Sequence, residues 1–156
     1  MNRSAIYVIL GFLVLIVLLF IPWQSKPKLD LNFKNEGSIT IQDTLGQKKA
    51  TFLYQKADDD EKRELGLMHR KSLEKNHSML FIMDEEEVHS FWMVDTYIPL
   101  DIIFINEAKE VVFIAKSMEP ESQEPVNSKA PCLYALEINA GLSEQLDIQV
   151  GDVVAF

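Results

Sequence analysis

Cysteine is almost absent, a single Cys132 in 156 residues. One thiol excludes an internal disulfide framework and a multi-cysteine zinc site. Its place in an apolar alternation with Tyr134, Leu136 and Ile138 reads as that of a small core side chain rather than a reactive group. Histidine is scarce as well: His69, His77 and His89 are spaced by eight and twelve residues, so no H-x-x-x-H pair offers two ligands on one helix face. No metal and no other cofactor is expected. None of these residues lies in a local nucleophile motif, and no catalytic residue is assigned. Positive charge is in short supply too. The chain has 15 Lys+Arg against 24 Asp+Glu, and with Arg3, Lys26 and Lys28 set aside residues 30–156 carry 12 against 24, or −12. That balance argues against a nucleic-acid partner, whose phosphates require a basic stripe.

What the first residues do have is an uncharged apolar run from Ala5 to Trp23. About 18 to 20 such residues suffice for a helix to cross the hydrocarbon core. Arg3 precedes the run, Pro22 and Trp23 close it at the level favoured by amphipathic rings, and Lys26 and Lys28 follow. The run exceeds the apolar part of a signal peptide, and no A-x-A-like site follows it, so an uncleaved signal anchor is expected. The lipid bilayer is then one partner, through Ala5–Trp23. The expected location is the cell membrane, crossed once, with the amino terminus inside and the domain outside the cytoplasm. Residues 1–29 are read as anchor and start of a tether, and residues 30–156 as one acidic domain whose polar tether extends to about residue 37.

Along that domain, short segments rich in β-branched and aromatic residues follow one another: Ser38–Asp43, Ala50–Gln55, Met79–Met83, Val88–Val94, Leu100–Ile105, Val111–Met118, Leu133–Asn139 and Val153–Phe156. Leu45-Gly46-Gln47 is expected to turn the first pair, and Asn106–Glu110 to close a hairpin. One helix is predicted from Asp58, with Glu61 three residues on and His69, Arg70 and Lys71 at its end; a second turn of helix is expected over Leu142–Leu146. The fold class is therefore mainly β, a compact antiparallel sandwich or barrel with one or two short helices, preceded by a single transmembrane helix. The acidic clusters Asp58–Glu61 and Asp84–Glu87 read as solvated turns or caps.

Six blocks carry a resemblance: Gly66-Leu67-Met68-His69-Arg70, Met79-Leu80-Phe81, Phe91-Trp92-Met93, Ile98-Pro99-Leu100-Asp101-Ile102, Tyr134 to Gly141, and Gly151-Asp152. In order and spacing the chain resembles domain-of-unknown-function family 192. The resemblance implies a compact, mainly β fold and no particular activity. The family usually has Gly before Met-Leu-Phe, where Ser78 stands here, and a Lys-Asn pair after Phe-Trp-Met, where Val94-Asp95 stands here.

Five residues are candidates for a binding site: Arg70, Trp92, Asp95, Asp101 and Glu137. Asp101 opens a strand beside Ile103 and Ile105, and Glu137 alternates with Leu133 and Ala135. A carboxylate among apolar neighbours needs a hydrogen-bond or charge partner. For Asp101 the sequence leaves open the backbone of the Tyr97–Leu100 turn or a cleft shared with Asp95 and Arg70. Phe91 and Trp92 suit core packing or a ligand platform. The leading functional expectation is a non-catalytic envelope domain that binds a small ligand, a glycan or an envelope protein. The rivals are a hydrolase using Asp95, Asp101 or Glu137, whose carboxyls would have to converge, and a structural or assembly role at the membrane.

Overall fold

Backbone pairing follows the β-branched and aromatic segments of the chain. The structure is a computed structural model that describes residues 30–156. Its strands are β1 (Gly37–Gln42), β2 (Lys48–Ala57), β3 (His77–Glu87), β4 (Ser90–Phe91), β5 (Leu100–Ile105), β6 (Val111–Met118), β7 (Val126–Asn127), β8 (Cys132–Asn139) and β9 (Val153–Ala155). Two helices interrupt them, α1 (Asp60–Leu65) and α2 (Leu142–Gln145). Among the described residues no helix is long and apolar enough to cross a membrane. The expected span Ala5–Trp23 lies outside the described residues.

Seven strands form one sheet in the order β6-β5-β8-β3-β2-β1-β9, and β4 pairs with β7 in a separate two-stranded ribbon. The sheet does not close into a barrel. Its two ends approach at one corner, where Glu110 and Val153 form an isolated bridge and Val154 N donates to Lys109 O at 2.8 Å. Pairing is antiparallel except between β2 and β3, which run parallel. An all-antiparallel arrangement is thus not what forms. A parallel pair needs a crossover of a dozen or more residues, and residues 58–76, containing α1, supply it.

Strand β5, second from one edge of the sheet, is buried along its whole length, because side chains cover both of its faces. On one face Ile39, Ile41, Phe52, Leu80, Ile103, Leu136 and Ile138 gather with Leu142 of α2. On the other, Met79, Phe81, Ile102, Phe104 and Ala135 meet Leu67, Met93 and Ile98 from the connecting segments. Cys132 belongs to this second cluster and not to the face of Leu136 and Ile138. The β3–β8 register shifts between Ile82 and Glu87, where Cys132 pairs, so the alternation does not run through. Burial pushes the Cys132 thiol pKa up, which suits a core side chain.

The expected strand Val88–Val94 is reduced to the two residues of β4. Beyond it the chain turns: Thr96 N donates to Met93 O, and Asp95 adopts φ 53°, a left-handed conformation that Asn and Asp tolerate best. Ser78, in place of the family's Gly, is fully buried and satisfied, its hydroxyl donating to Leu53 O at 3.0 Å. The cap of α1 is Asp59 rather than Asp58: the Asp59 carboxylate accepts from Lys62 N at 2.8 Å.

Candidate functional site

Two segments are laid over the second face of the sheet, and between them and the sheet is a pocket of about 140 Å³. The end of α1 and the turn after it bring Arg63 to Met68; β3 brings Phe81 and Met83; β4 and the following turn bring Ser90, Phe91, Trp92 and Thr96; β8 brings Glu137. Gly66 makes the first wall possible. It has φ 46° and ψ −130°, a conformation left to glycine, and a Cβ there would lie 3.2 Å from Phe81 Cζ. The aromatic wall is braced edge to face: Phe91 meets Phe81 at 5.1 Å and Phe104 at 5.4 Å between centroids. Trp92, 56% exposed, stands at the mouth.

Glu137 lies at the floor. Its neighbours across the sheet are Met79 on β3 and Ile102 on β5, both apolar and both fully or nearly buried. Glu137 is itself 5% exposed, and no side-chain hydrogen bond or ion pair of its carboxyl group occurs among the described residues. Desolvation alone pushes its pKa up to about 8, since burial penalises the charged form. At neutral pH the group is therefore mostly a carboxylic acid, able to donate one hydrogen bond and to accept another. Arg63, the one cation in the lining, is committed elsewhere. Its Nη1 donates to Ile82 O at 2.8 Å and its Nη2 to Asp60 Oδ1 at 2.6 Å and Asp84 Oδ2 at 3.0 Å.

Of the five residues singled out by sequence, the structure brings two together, Trp92 at the mouth and Glu137 at the floor. The other three are elsewhere. Arg70 is buried, with Nη2 donating to Gln55 Oε1 at 2.8 Å. Asp95 is exposed and acts through its backbone, its carbonyl accepting from His69 N at 2.8 Å. Asp101 is fully buried and takes neither course left open above. Its Oδ1 accepts from Ser117 N at 2.8 Å, and its Oδ2 accepts from Ser143 N at 2.9 Å and Ser143 Oγ at 2.7 Å. Asp101 pairs in register with Ile138 and Glu137 with Ile102, so the two carboxyls point to opposite faces of the sheet. Among the described residues no group of three or more His, Cys, Asp or Glu is placed to hold a metal ion.

Sequence reasoning missed Gly66, Met68, Phe81 and Met83 as pocket residues. Gly66 to Met68 and Phe81 fall in two of the blocks that carry the family resemblance, which was the available signal; nothing in the pattern around Met83 marked it.

Residues 41–156 match DUF192, a family described as uncharacterized ACR. A UPF0127 protein of Pyrococcus furiosus is 34% identical over 101 residues, 62% of this chain and 79% of that protein. Two solved structures are similar. One, a protein of unknown function from Novosphingobium aromaticivorans, has 34% identity and a TM-score of 0.72 over 76% of this chain and 84% of that one. The other, from Sinorhizobium meliloti and named as a candidate transcription regulator, has 30% identity and a TM-score of 0.75 over 81% of this chain and 97% of that one. With a match that spans most of the chain, the protein belongs to the DUF192 family.

Proposed function

We propose that the domain is a small-ligand binding module, its site the pocket floored by Glu137, and that the Ala5–Trp23 segment tethers it to the membrane with the domain on the outer side. The observation that carries the binding reading is the Glu137 carboxyl, in a residue only 5% exposed, without a protein hydrogen-bond partner among the described residues and open to the pocket it lines. In a pocket largely shielded from water a hydrogen bond is stronger than in bulk solvent, so a ligand that pairs with this carboxyl gains by doing so. The size of the pocket sets the scale of the ligand. A cavity of about 150 Å³ holds a benzene-sized molecule, so one of about six heavy atoms, or one end of a longer molecule, fits here. Pockets of this kind combine apolar walls with a few polar groups that orient the occupant.

The hydrolase reading has less support, because Asp95, Asp101 and Glu137 do not converge. Nor does a glycan suit the site well, since the polar side chains in the lining are few and the Thr96 hydroxyl is engaged by Val94 O at 3.2 Å.

The test is a titration of the full chain with fragments of about six heavy atoms, read from the Trp92 indole and the Met68 and Met83 methyl resonances. Binders are expected to move these signals, and Glu137→Leu to abolish the response while the protein still melts cooperatively. A second, open groove is lined by Lys48, Lys75 and Leu146, and binders that move only residues around it would place the site elsewhere. For the tether, the chain is expected in the membrane fraction, and protease added to intact cells is expected to remove the domain. A soluble mature chain beginning after residue 23 would refute it.

A further inference from the structure

Charge near the pocket is one-sided. The lining holds two carboxyls, Glu64 and Glu137, against Arg63, and Arg63 is neutralised by Asp60 and Asp84. A neighbouring shallow depression shares Arg63 and Met83 with the pocket and adds Asp60, Asp84, Glu85, Glu87 and His89. Asp60 and Asp84 are set against Arg63, so it is Glu64, Glu85 and Glu87 that keep the surroundings acidic, a field that concentrates cations and repels anions. The walls add the faces and edges of Phe81, Phe91 and Trp92 with the thioethers of Met68 and Met83, and aromatic faces attract organic cations more as water is excluded. A floor carboxyl, an aromatic wall and an acidic rim are the parts of a cation site.

Building on the pocket reading above, we infer that the ligand is a small organic cation, an alkylammonium or methylated ammonium group seated between the Glu137 carboxyl and the aromatic wall. An inorganic ion is a poor fit, because one carboxyl and apolar walls cannot replace a hydration shell. An alkylated ammonium carries less water into the pocket and fills it.

Binding of such a cation has a proton cost that gives it a signature. With Glu137 titrating at about 8, about one molecule in ten holds it ionised at pH 7, which weakens a cation that needs the carboxylate about tenfold. Apparent affinity therefore rises about tenfold per pH unit from pH 6 and levels above pH 8, with one proton released at the lower pH. The other titratable groups that face Glu137 are few: α1 brings Arg63 and Glu64, while β3, β4, β5 and the turn through Thr96 bring uncharged side chains. Asp95 and His69 are neighbours in sequence of Thr96 and Met68 and do not line the pocket.

Matched probes separate the charge from the shape. Choline and n-butylammonium are compared with their neutral counterparts, 3,3-dimethylbutan-1-ol and n-butanol, by titrating the full chain at pH 6, 7, 8 and 9 and following the Trp92 and methionine-methyl signals. At least one of the two cations is expected to bind ten or more times tighter than its neutral counterpart, with the stated rise to pH 8. Glu137→Gln is expected to remove the pH dependence and most of the cation preference while leaving the alcohols unaffected. Alcohols that bind as tightly as both cations, with affinity falling as pH rises, would overturn the cation inference and leave the pocket reading standing. No response of the pocket signals to any of the four probes at tens of millimolar would overturn both.

Discussion

At the residue scale, Glu137 and Asp101 show why one buried carboxyl is available for binding and another is not. Asp101 spends both oxygens on backbone and hydroxyl donors that hold the start of α2 and the Ser117 end of β6 in place. Any Asn at this position turns an NH2 group toward an N–H, so Asp101→Asn is expected to destabilise by about 1–3 kcal/mol, and Asp101→Ala, which orphans all three donors, by more; denaturant melts compare the two, and a neutral Asn variant would mean the site relaxes around it. Glu137 has no such donors. Its folded-state pKa, about 8, lies above its ordinary 4.5, so the stability linked to its protonated form is fully present below pH 4.5 and is lost as pH rises through about 8. Glu137→Gln, which stays neutral, is expected to match the wild type at pH 4 and to gain on it by about 1.4 kcal/mol per pH unit between those limits. Melts of both proteins at pH 5, 7 and 9 measure the difference, and parallel pH profiles would mean that Glu137 is not buried uncharged. That both carboxylates would be inside was legible in the sequence, since each lies in an apolar alternation. Their partners were not, because Ser117 and Ser143 are brought to Asp101 only by the sheet and by α2, and the empty surroundings of Glu137 depend on what three other segments fail to offer.

At the scale of elements, the strands were largely readable and their pairing was not. Leu100–Ile105 and Val111–Met118 form as the residue pattern expects, because a hairpin pairs neighbours and needs only local information. The parallel pairing of β2 with β3 depends on where the α1 crossover sets the chain down, and β4 is cut short by a turn whose hydrogen bonds come from Met93 and Ser122. The wall of the pocket rests on a single backbone choice at the end of α1. Gly66→Ala is expected to destabilise by more than the ~1 kcal/mol usual for a left-handed glycine, since its φ and ψ lie outside the ordinary left-handed basin and its methyl group meets Phe81. The same variant is expected to alter the chemical shifts of the pocket methionines. Unchanged stability and unchanged shifts would show that the turn rearranges freely and that the wall is not fixed by it.

At the scale of the whole molecule, the C-terminal turn meets the β6 end of the sheet, where Val111 N donates to Asp152 O at 2.9 Å, and the Asp152 side chain fastens that turn to the interior strand β2. Lys49 Nζ lies 2.8 Å and 2.9 Å from the two carboxylate oxygens of Asp152 and 2.6 Å from Asp147 O, and Asp152 Oδ2 accepts from Gln149 N at 2.8 Å. Both side chains are largely buried, 14% and 5% exposed. The pair thus ties β2 to the turn that feeds β9, whose Val154 side chain completes the first core face. Removing one partner of a buried pair is costly because the other charge remains inside, whereas replacing both with apolar groups is often tolerated. Asp152→Ala is therefore expected to lose about 3 kcal/mol, near the lower end of the range for buried pairs because Lys49 keeps some contact with water. Combining it with Lys49→Met is expected to recover at least half of that loss. The recovery cannot be complete, since the Gln149 amide stays uncapped. A full double-mutant cycle in urea decides the matter. Strict additivity of the two changes would mean that the ion pair does not hold the corner, and that the bridge between Glu110 and Val153 does so through backbone hydrogen bonds alone.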